Sequence, residues 1–320
     1  MLDEKLQVTL GGLKQTVHIK SRDEKNPVLL FLHGGPGVTN RHSVMTTNDD
    51  LLDDFTIVAW DQRGTGGSYF GCDESTLTID RLTKDAKELV AYLCERFGKE
   101  KIFAIGGSWG SLLGTNLIKC YPEKIAAFIG FGQFVDGAKN EELSYNFTLA
   151  EAKAAGDEKS VKKLEKLGAP QNGVYAGGFK GMMTQRNIMM KFGGYSKHEG
   201  KQSYLDAMIK PILKSHEYTI KELYGYVKGY KFVLTKMWPE VAAVNFNETH
   251  TKFEVPFFIL DGTQDKNTPA ELVGEWFEKI TAPEKELVWF ENSGHNPLFD
   301  EPEKFKSIMK EKFLAIAKKM

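Results

Sequence analysis

The sequence predicts an α/β fold, a mostly parallel, doubly wound sheet into which a helical cap is inserted. Three observations predict it. Short apolar runs without polar alternation recur along the chain, helical periodicity fills gaps between them, and one long segment interrupts the pattern. Continuous apolar runs suit strands covered on both faces. Alternation of such strands with helices implies right-handed crossovers and a sheet wound from both sides.

The elements follow in chain order. Residues 6–10 and 16–20 read as two strands, with Gly11-Gly12 supplying the positive φ of the turn between them. Val28–Leu32 is the first run that is apolar throughout, and the same character returns at Thr56–Trp60, 102–105, 126–131, 256–260 and 286–290. Between two of them, Ile79–Phe97 places Leu82, Ala86, Leu89, Val90 and Leu93 on one helical face. After Phe131 the strand runs stop, and residues 136–250 are lysine-rich, punctuated by glycine and mostly helical in pattern. Sheet-like sequence resumes at Phe253-Glu254-Val255-Pro256. The expected organisation is therefore a core of residues 1–135 and 251–320 with a cap of residues 136–250.

Composition excludes several classes. At 320 residues, 41% hydrophobic and 27% charged, the chain can bury a large core. A net charge of −1 gives no overall attraction to nucleic acid or to an anionic membrane. No run approaches the roughly 20 apolar residues that span a bilayer, and the polar start Met1-Leu2-Asp3-Glu4-Lys5 leads into no signal-like segment, so a cytoplasmic location is expected. Cys72, Cys94 and Cys120 are widely spaced, without metal-ligand spacing, and read as ordinary reduced thiols. No metal and no organic cofactor is implied. The oligomeric state is not legible.

Gly106-Gly107-Ser108-Trp109-Gly110 follows one strand and precedes a helical run, the setting a G-x-S-x-G nucleophile elbow requires. The turn strains the serine backbone and lifts its hydroxyl above the sheet, with glycines removing the Cβ atoms that would clash. His33-Gly34-Gly35-Pro36-Gly37 follows an earlier strand and suits an oxyanion loop. Acyl transfer needs donors aimed at a developing oxyanion, and the amides of Gly35 and Trp109 are the candidates. His33 reads as a brace for that loop rather than as a base.

A base and its acid should follow in the order Ser, Asp or Glu, His. His295, in Ser293-Gly294-His295-Asn296-Pro297, and Asp265, in Gln264-Asp265-Lys266-Asn267-Thr268-Pro269, both lie in loops after strands. His295 would take the Ser108 proton, and Asp265 would fix the imidazole tautomer. Asp261 is the rival acid, but it abuts its strand whereas Asp265 lies deeper in the loop.

Together these residues resemble the proline iminopeptidase-like branch of the α/β-hydrolases. The resemblance rests on three motifs in order: His33 to Gly37, Asp61-Gln62-Arg63-Gly64-Thr65-Gly66-Gly67-Ser68, and Gly106 to Gly110 continued by Ser111. It covers the core segments and implies an α/β-hydrolase fold with a Ser108, Asp265 and His295 triad. Residues 61–68 lack the lysine and context of a phosphate loop, and read as a structural brace. In that family cap glutamates bind the free amino terminus of the substrate, within a Trp-x-x-Trp-Glu pattern that is absent here. Glu240, in Trp238-Pro239-Glu240, and Asp136, at the cap entrance, are the candidate amine partners. Met182, Met183, Met189, Met190 and Phe192 read as the cap's own packing residues.

The resemblance implies an aminopeptidase that releases N-terminal residues, proline among them, from small peptides. Two alternatives stay open, an esterase or lactonase acting on small uncharged acyl substrates and a non-catalytic ligand binder. The intact nucleophile, base and acid argue against the binder. Epoxide-hydrolase and dehalogenase chemistry would want an aspartate where Ser108 stands.

Overall fold

A computed structural model describes residues 1–196, 210, 212 and 214–320. Eight strands form one sheet: β1 (Leu2–Leu10), β2 (Leu13–Ser21), β3 (Val28–Leu32), β4 (Thr56–Trp60), β5 (Ile102–Gly107), β6 (Ile125–Phe131), β7 (Phe257–Gly262) and β8 (Lys285–Phe290), in the order β1-β2-β4-β3-β5-β6-β7-β8. β1 and β2 form an antiparallel hairpin, and β2 is also antiparallel to β4. From β4 to β8 all neighbours are parallel. This is the α/β-hydrolase fold that the motifs implied.

Burial explains why β3 to β7 read as unbroken apolar runs. In β3, Val28, Leu30 and Leu32 enter one core while Leu29 and Phe31 enter the other. Side chains alternate across the sheet, so a strand with helices on both faces needs apolar residues at every position. The Ile79–Phe97, Trp109–Cys120 and Ala270–Lys279 helices cover the first face through Leu89, Leu113 and Trp276. The Arg41–Thr47 and Pro302–Ala317 helices cover the second through Met45, Phe305 and Phe313. β1 begins earlier than the sequence predicts, at Leu2, and its first six residues alternate between half-buried and exposed as an edge strand should.

The chain leaves β3 for β4 on one side, then returns to β5 on the other. Such a reversal opens a crevice at the carboxyl ends of the two strands, where open α/β sheets bind their ligands. The loop His33 to Gly37 and the turn at Ser108 leave the sheet at this crevice.

Between β6 and β7 lie the Gly137–Ala154, Glu158–Leu167, Phe179–Lys191 and Ile220–Ala242 helices. They share a small core containing Tyr145, Leu164, Tyr175, Met182, Ile188 and Leu234. Of the expected 136–250 insert, residues 197–209, 211 and 213 lie outside the described residues. Among the described residues no helix is long and apolar enough to cross a membrane.

Candidate active site

Ser108 stands between the end of β5 and the Trp109–Cys120 helix with φ 55° and ψ −123°. A non-glycine residue rarely adopts that conformation, and the surroundings hold it there. Its N–H donates to Phe131 O at 2.9 Å, and Ser111 Oγ donates to its carbonyl at 2.6 Å. The flanking glycines are needed for space. A Cβ on Gly106 would lie 2.2 Å from Gly110 O, and one on Gly110 would lie 2.0 Å from Leu32 O. Only glycine lets the helix start this close to the sheet.

The three motifs are tied together beneath this turn. His33 is fully buried; its Nδ1 donates to Gly34 O at 2.8 Å and its Nε2 accepts the Gln62 N–H at 3.1 Å. Gln62 Nε2 donates to His33 O at 3.3 Å, and its Oε1 accepts from Trp109 Nε1 at 2.8 Å. One glutamine thus links the glycine loop to the elbow, and Arg63 anchors the same segment through Asp85 at 2.7 Å. The neutral imidazole suits both of its bonds, and burial lowers the His33 pKa to about 4.

That shift has a consequence for stability. Unfolded, His33 takes up a proton near its ordinary value of 6.5, whereas folded it waits until about 4. Between those values the unfolded state binds more protons, so stability falls as pH falls, on the order of 1.4 kcal/mol per unit from His33. Burial also lowers His42 and His250 to about 4. Asp261 and Asp61 oppose them because burial raises their carboxyls and makes the native state bind extra protons, but two carboxyls stand against three histidines. Urea unfolding at a series of pH values is expected to show a progressive loss of stability from about 6.5 toward 4. An unchanged midpoint across that window would contradict a neutral His33 brace.

Asp265 and His295 meet in the two loops after β7 and β8. His295 Nδ1 lies 2.7 Å from Asp265 Oδ2, with Asp265 fully buried and His295 nearly so. The carboxylate is saturated with donors: Oδ1 accepts the N–H groups of Asn267 at 2.7 Å and Thr268 at 2.9 Å, and Oδ2 also accepts Thr268 Oγ at 2.6 Å. A carboxylate so placed makes Nδ1 the protonated nitrogen and leaves Nε2 as the acceptor. Asp261, the rival acid, is used differently. Its two oxygens accept the N–H groups of Gly132 at 2.5 Å and Gln133 at 3.2 Å, and burial followed by the Asp265 charge pushes its carboxyl up.

The cap closes the base from above. Tyr195 O accepts the His295 N–H at 2.6 Å, and the two rings lie 4.9 Å apart. A Cβ on Gly294 would lie 2.3 Å from Tyr195 O, and one on Gly132 would lie 2.8 Å from His295 Cε1. Ser108, Trp109, Gly34, Gly35 and His295 all face one cavity of about 750 Å³. Its walls include Phe131, Phe134, Met182, Tyr230, Leu234 and Trp238. Met182 therefore serves both the cap's packing and the cavity wall.

The structure brings Ser108, His295, Asp265, Gly35 and Trp109 together, and it places the two candidate amine partners away from them. Asp136 caps the Gly137–Ala154 helix, accepting the Lys139 N–H at 3.0 Å. Glu240 is exposed and accepts the Ile79 N–H at 3.1 Å. Neither lines the cavity, and each carboxylate is engaged by a backbone amide. Two other acids line it: Asp300, which accepts from Ser196, Ser293 and the Gly294 N–H, and Glu141, fully buried one turn into the first cap helix and paired with Arg186. Asn140 Nδ2 donates to Glu141 Oε1 at 3.1 Å, and Glu141 Oε2 has no hydrogen-bonding partner among the described residues. The Tyr175 ring is buried beside this pair, and its hydroxyl ionisation is pushed far up, first by burial and then by the Glu141 charge. Sequence reasoning missed Glu141, Arg186, Asn267 and Thr268. Only the last two carried a signal, since Asp-x-Asn-Thr-Pro suits a turn in which the aspartate accepts backbone amides.

Comparison with known proteins agrees with this fold. Residues 27–164 match the family model described as alpha/beta hydrolase fold. The chain is 30% identical over 302 residues to the probable aminopeptidase YbaC of Bacillus subtilis (strain 168), covering 93% of this chain and 92% of that one. It is 26% identical over 300 residues to a proline iminopeptidase of Saccharolobus solfataricus, covering 89% and 84%. Among solved structures, a proline iminopeptidase-related protein from Thermus thermophilus superposes with a TM-score of 0.66 at 19% identity, covering 99% of each chain.

Proposed function

The chain belongs to the α/β-hydrolase family, and on that premise we propose that it is a serine hydrolase acting as an aminopeptidase on small peptides. The observation that carries the hydrolase reading is the His295–Asp265 pair at 2.7 Å, facing the same cavity as the strained Ser108 turn.

In the proposed reaction Ser108 Oγ attacks the substrate carbonyl carbon while His295 Nε2 removes its proton. Asp265, ionised and held by three further donors, stabilises the imidazolium that forms. Negative charge passes to the carbonyl oxygen, toward the amides of Trp109 and Gly35. Trp109 is the first residue of its helix, so its N–H has no helical acceptor and is free to serve. The tetrahedral adduct collapses, the C–N bond breaks, and His295 returns the proton to the leaving amine. Water then attacks the acyl-serine with the same base, releasing the carboxylic acid and restoring Ser108.

Glu141 supports the peptidase reading over an esterase. One of its oxygens is committed to Arg186 and Asn140, while the other is buried beside a largely apolar cavity without a hydrogen-bonding partner among the described residues. A buried carboxylate oxygen in that state suits a protonated α-amine through a charge-assisted hydrogen bond. The relatives in Bacillus and Saccharolobus, named as a probable aminopeptidase and a proline iminopeptidase, point the same way.

The test compares prolyl and alanyl β-naphthylamide with their N-acetylated forms and with a butyrate ester. Free-amine amides are expected to be cleaved, and acetylation to suppress turnover by orders of magnitude, because it removes the charge that Glu141 would meet. Glu141→Gln is expected to lower kcat/KM for the free amine by on the order of 10² while ester turnover persists as a control for folding. Rapid ester hydrolysis with no cleavage of any free-amine amide would reverse the reading in favour of an esterase.

A further inference from the structure

The nitrogen of His295 that would accept the serine proton already has a partner. Asn267 Nδ2 lies 3.1 Å from His295 Nε2. Because Nδ1 faces Asp265 and carries the proton, the neutral ring offers Nε2 as an acceptor, so Asn267 presents its amide NH₂ there rather than its oxygen. An imidazole nitrogen has one in-plane lone pair, and Asn267 fills it. Among the described residues the Ser108 hydroxyl makes no hydrogen bond to His295.

Asn267 is held there by its backbone. Its N–H donates to Asp265 Oδ1 at 2.7 Å, and its carbonyl accepts from Asn140 Nδ2 at 2.8 Å. Asn140 belongs to the first cap helix and donates also to Glu141 Oε1, so the cap and the base loop share this residue. None of these bonds uses the Asn267 side chain. The amide is thus free to leave Nε2 without disturbing Asp265, which is what a competing donor must be able to do.

We propose that Asn267 is a positioning residue that occupies His295 Nε2 in the free enzyme and must yield it to Ser108 before acylation. This inference rests on the proposed Ser108, His295 and Asp265 assignment. Exchange of one neutral donor for another opposes the first step modestly, because the net worth of such a hydrogen bond is small. Once His295 is protonated, Nε2–H needs an acceptor, and the Asn267 NH₂ can no longer face it without rotating to offer Oδ1. The leaving amine supplies that acceptor, and deacylation, which needs the neutral Nε2 again to take a proton from water, meets the same competing donor.

The experiment measures inactivation by a small fluorophosphonate, resolved into its maximal rate and its half-saturating concentration. Asn267→Ala and the near-isosteric Asn267→Leu are expected to raise the maximal rate by about 2- to 10-fold, the range spanned by one neutral hydrogen bond, with half-saturation unchanged. Asn267→Asp places an acceptor against Nε2, favours the protonated ring, and is expected to fall below the parent rate at neutral pH. A merely structural asparagine would slow inactivation in all three variants. Equal or slower inactivation in both Asn267→Ala and Asn267→Leu overturns the proposal while leaving the serine assignment standing. Absence of Ser108 modification in the parent protein overturns that assignment first, and this inference with it.

Discussion

Ser108→Ala is expected to leave a folded protein whose kcat/KM falls by on the order of 10⁴ to 10⁶, equally for amide and ester substrates. The magnitude follows from the role. Without the hydroxyl no acyl-enzyme forms, and only binding and the oxyanion donors remain to help water. Folding should survive because the interactions that set the turn are made by the Ser108 backbone, through Phe131 O and Ser111 Oγ. The glycines at 106 and 110 also remain, and they are what permits the close approach of helix and sheet. Thermal unfolding run beside the kinetics separates the two effects. Activity within tenfold of the parent on both substrates would remove Ser108 from the reaction.

Asp265→Asn is expected to lower kcat by on the order of 10⁴ with little loss of stability. Two backbone N–H groups, from Asn267 and Thr268, converge on Oδ1 and would keep the asparagine oxygen on their side. The new NH₂ then faces His295 Nδ1, which can only accept. The imidazole is forced to carry its proton on Nε2, where it blocks removal of the serine proton. Thr268 Oγ, now a donor to Asp265, can turn to accept. Asp261→Asn should behave differently. Both of its oxygens accept backbone amides, from Gly132 and Gln133, so the substitution sets an NH₂ against an N–H and costs stability rather than fixing the wrong tautomer. Kinetics and denaturation of the two variants in parallel decide the matter. A larger catalytic loss from Asp261→Asn at unchanged stability would assign the acid to that residue.

Much of the fold was legible because buried parallel strands have a distinctive sequence. Val28–Leu32 and Thr56–Trp60 are buried at every position, and nothing but a two-sided core requires that. The Ile79–Phe97 helix was equally plain, since its buried residues fall at helical spacing and Gly98 ends it with φ 60°. The elbow was legible because close approach of helix to sheet permits only glycine at two fixed positions. Residues 61–68 could be read as a brace, but their partners could not, because the Gln62 contacts come from loops far apart in sequence.

The cap was harder for a physical reason. Glu141 sits in Asn140-Glu141-Glu142, which reads as a solvated helix surface, and only the docking of that helix on the core buries Glu141 while leaving Glu142 exposed. Asp136 offered a signal that reasoning about charge passed over. An aspartate followed by Gly-Ala-Lys at the start of a helical pattern is a helix cap, and its carboxylate is then occupied. Asn267 lies beside the acid, and its sequence position gives no hint that its side chain would turn toward the base instead.

Covalent labelling decides whether Ser108 is a nucleophile activated by His295. Purified protein treated with a fluorophosphonate, then digested and analysed by mass spectrometry, is expected to carry one adduct on the peptide containing Gly106 to Ser111, placed on Ser108. His295→Ala should slow that labelling by orders of magnitude. Labelling at another residue, or equal labelling of Ser108→Ala, would contradict the account.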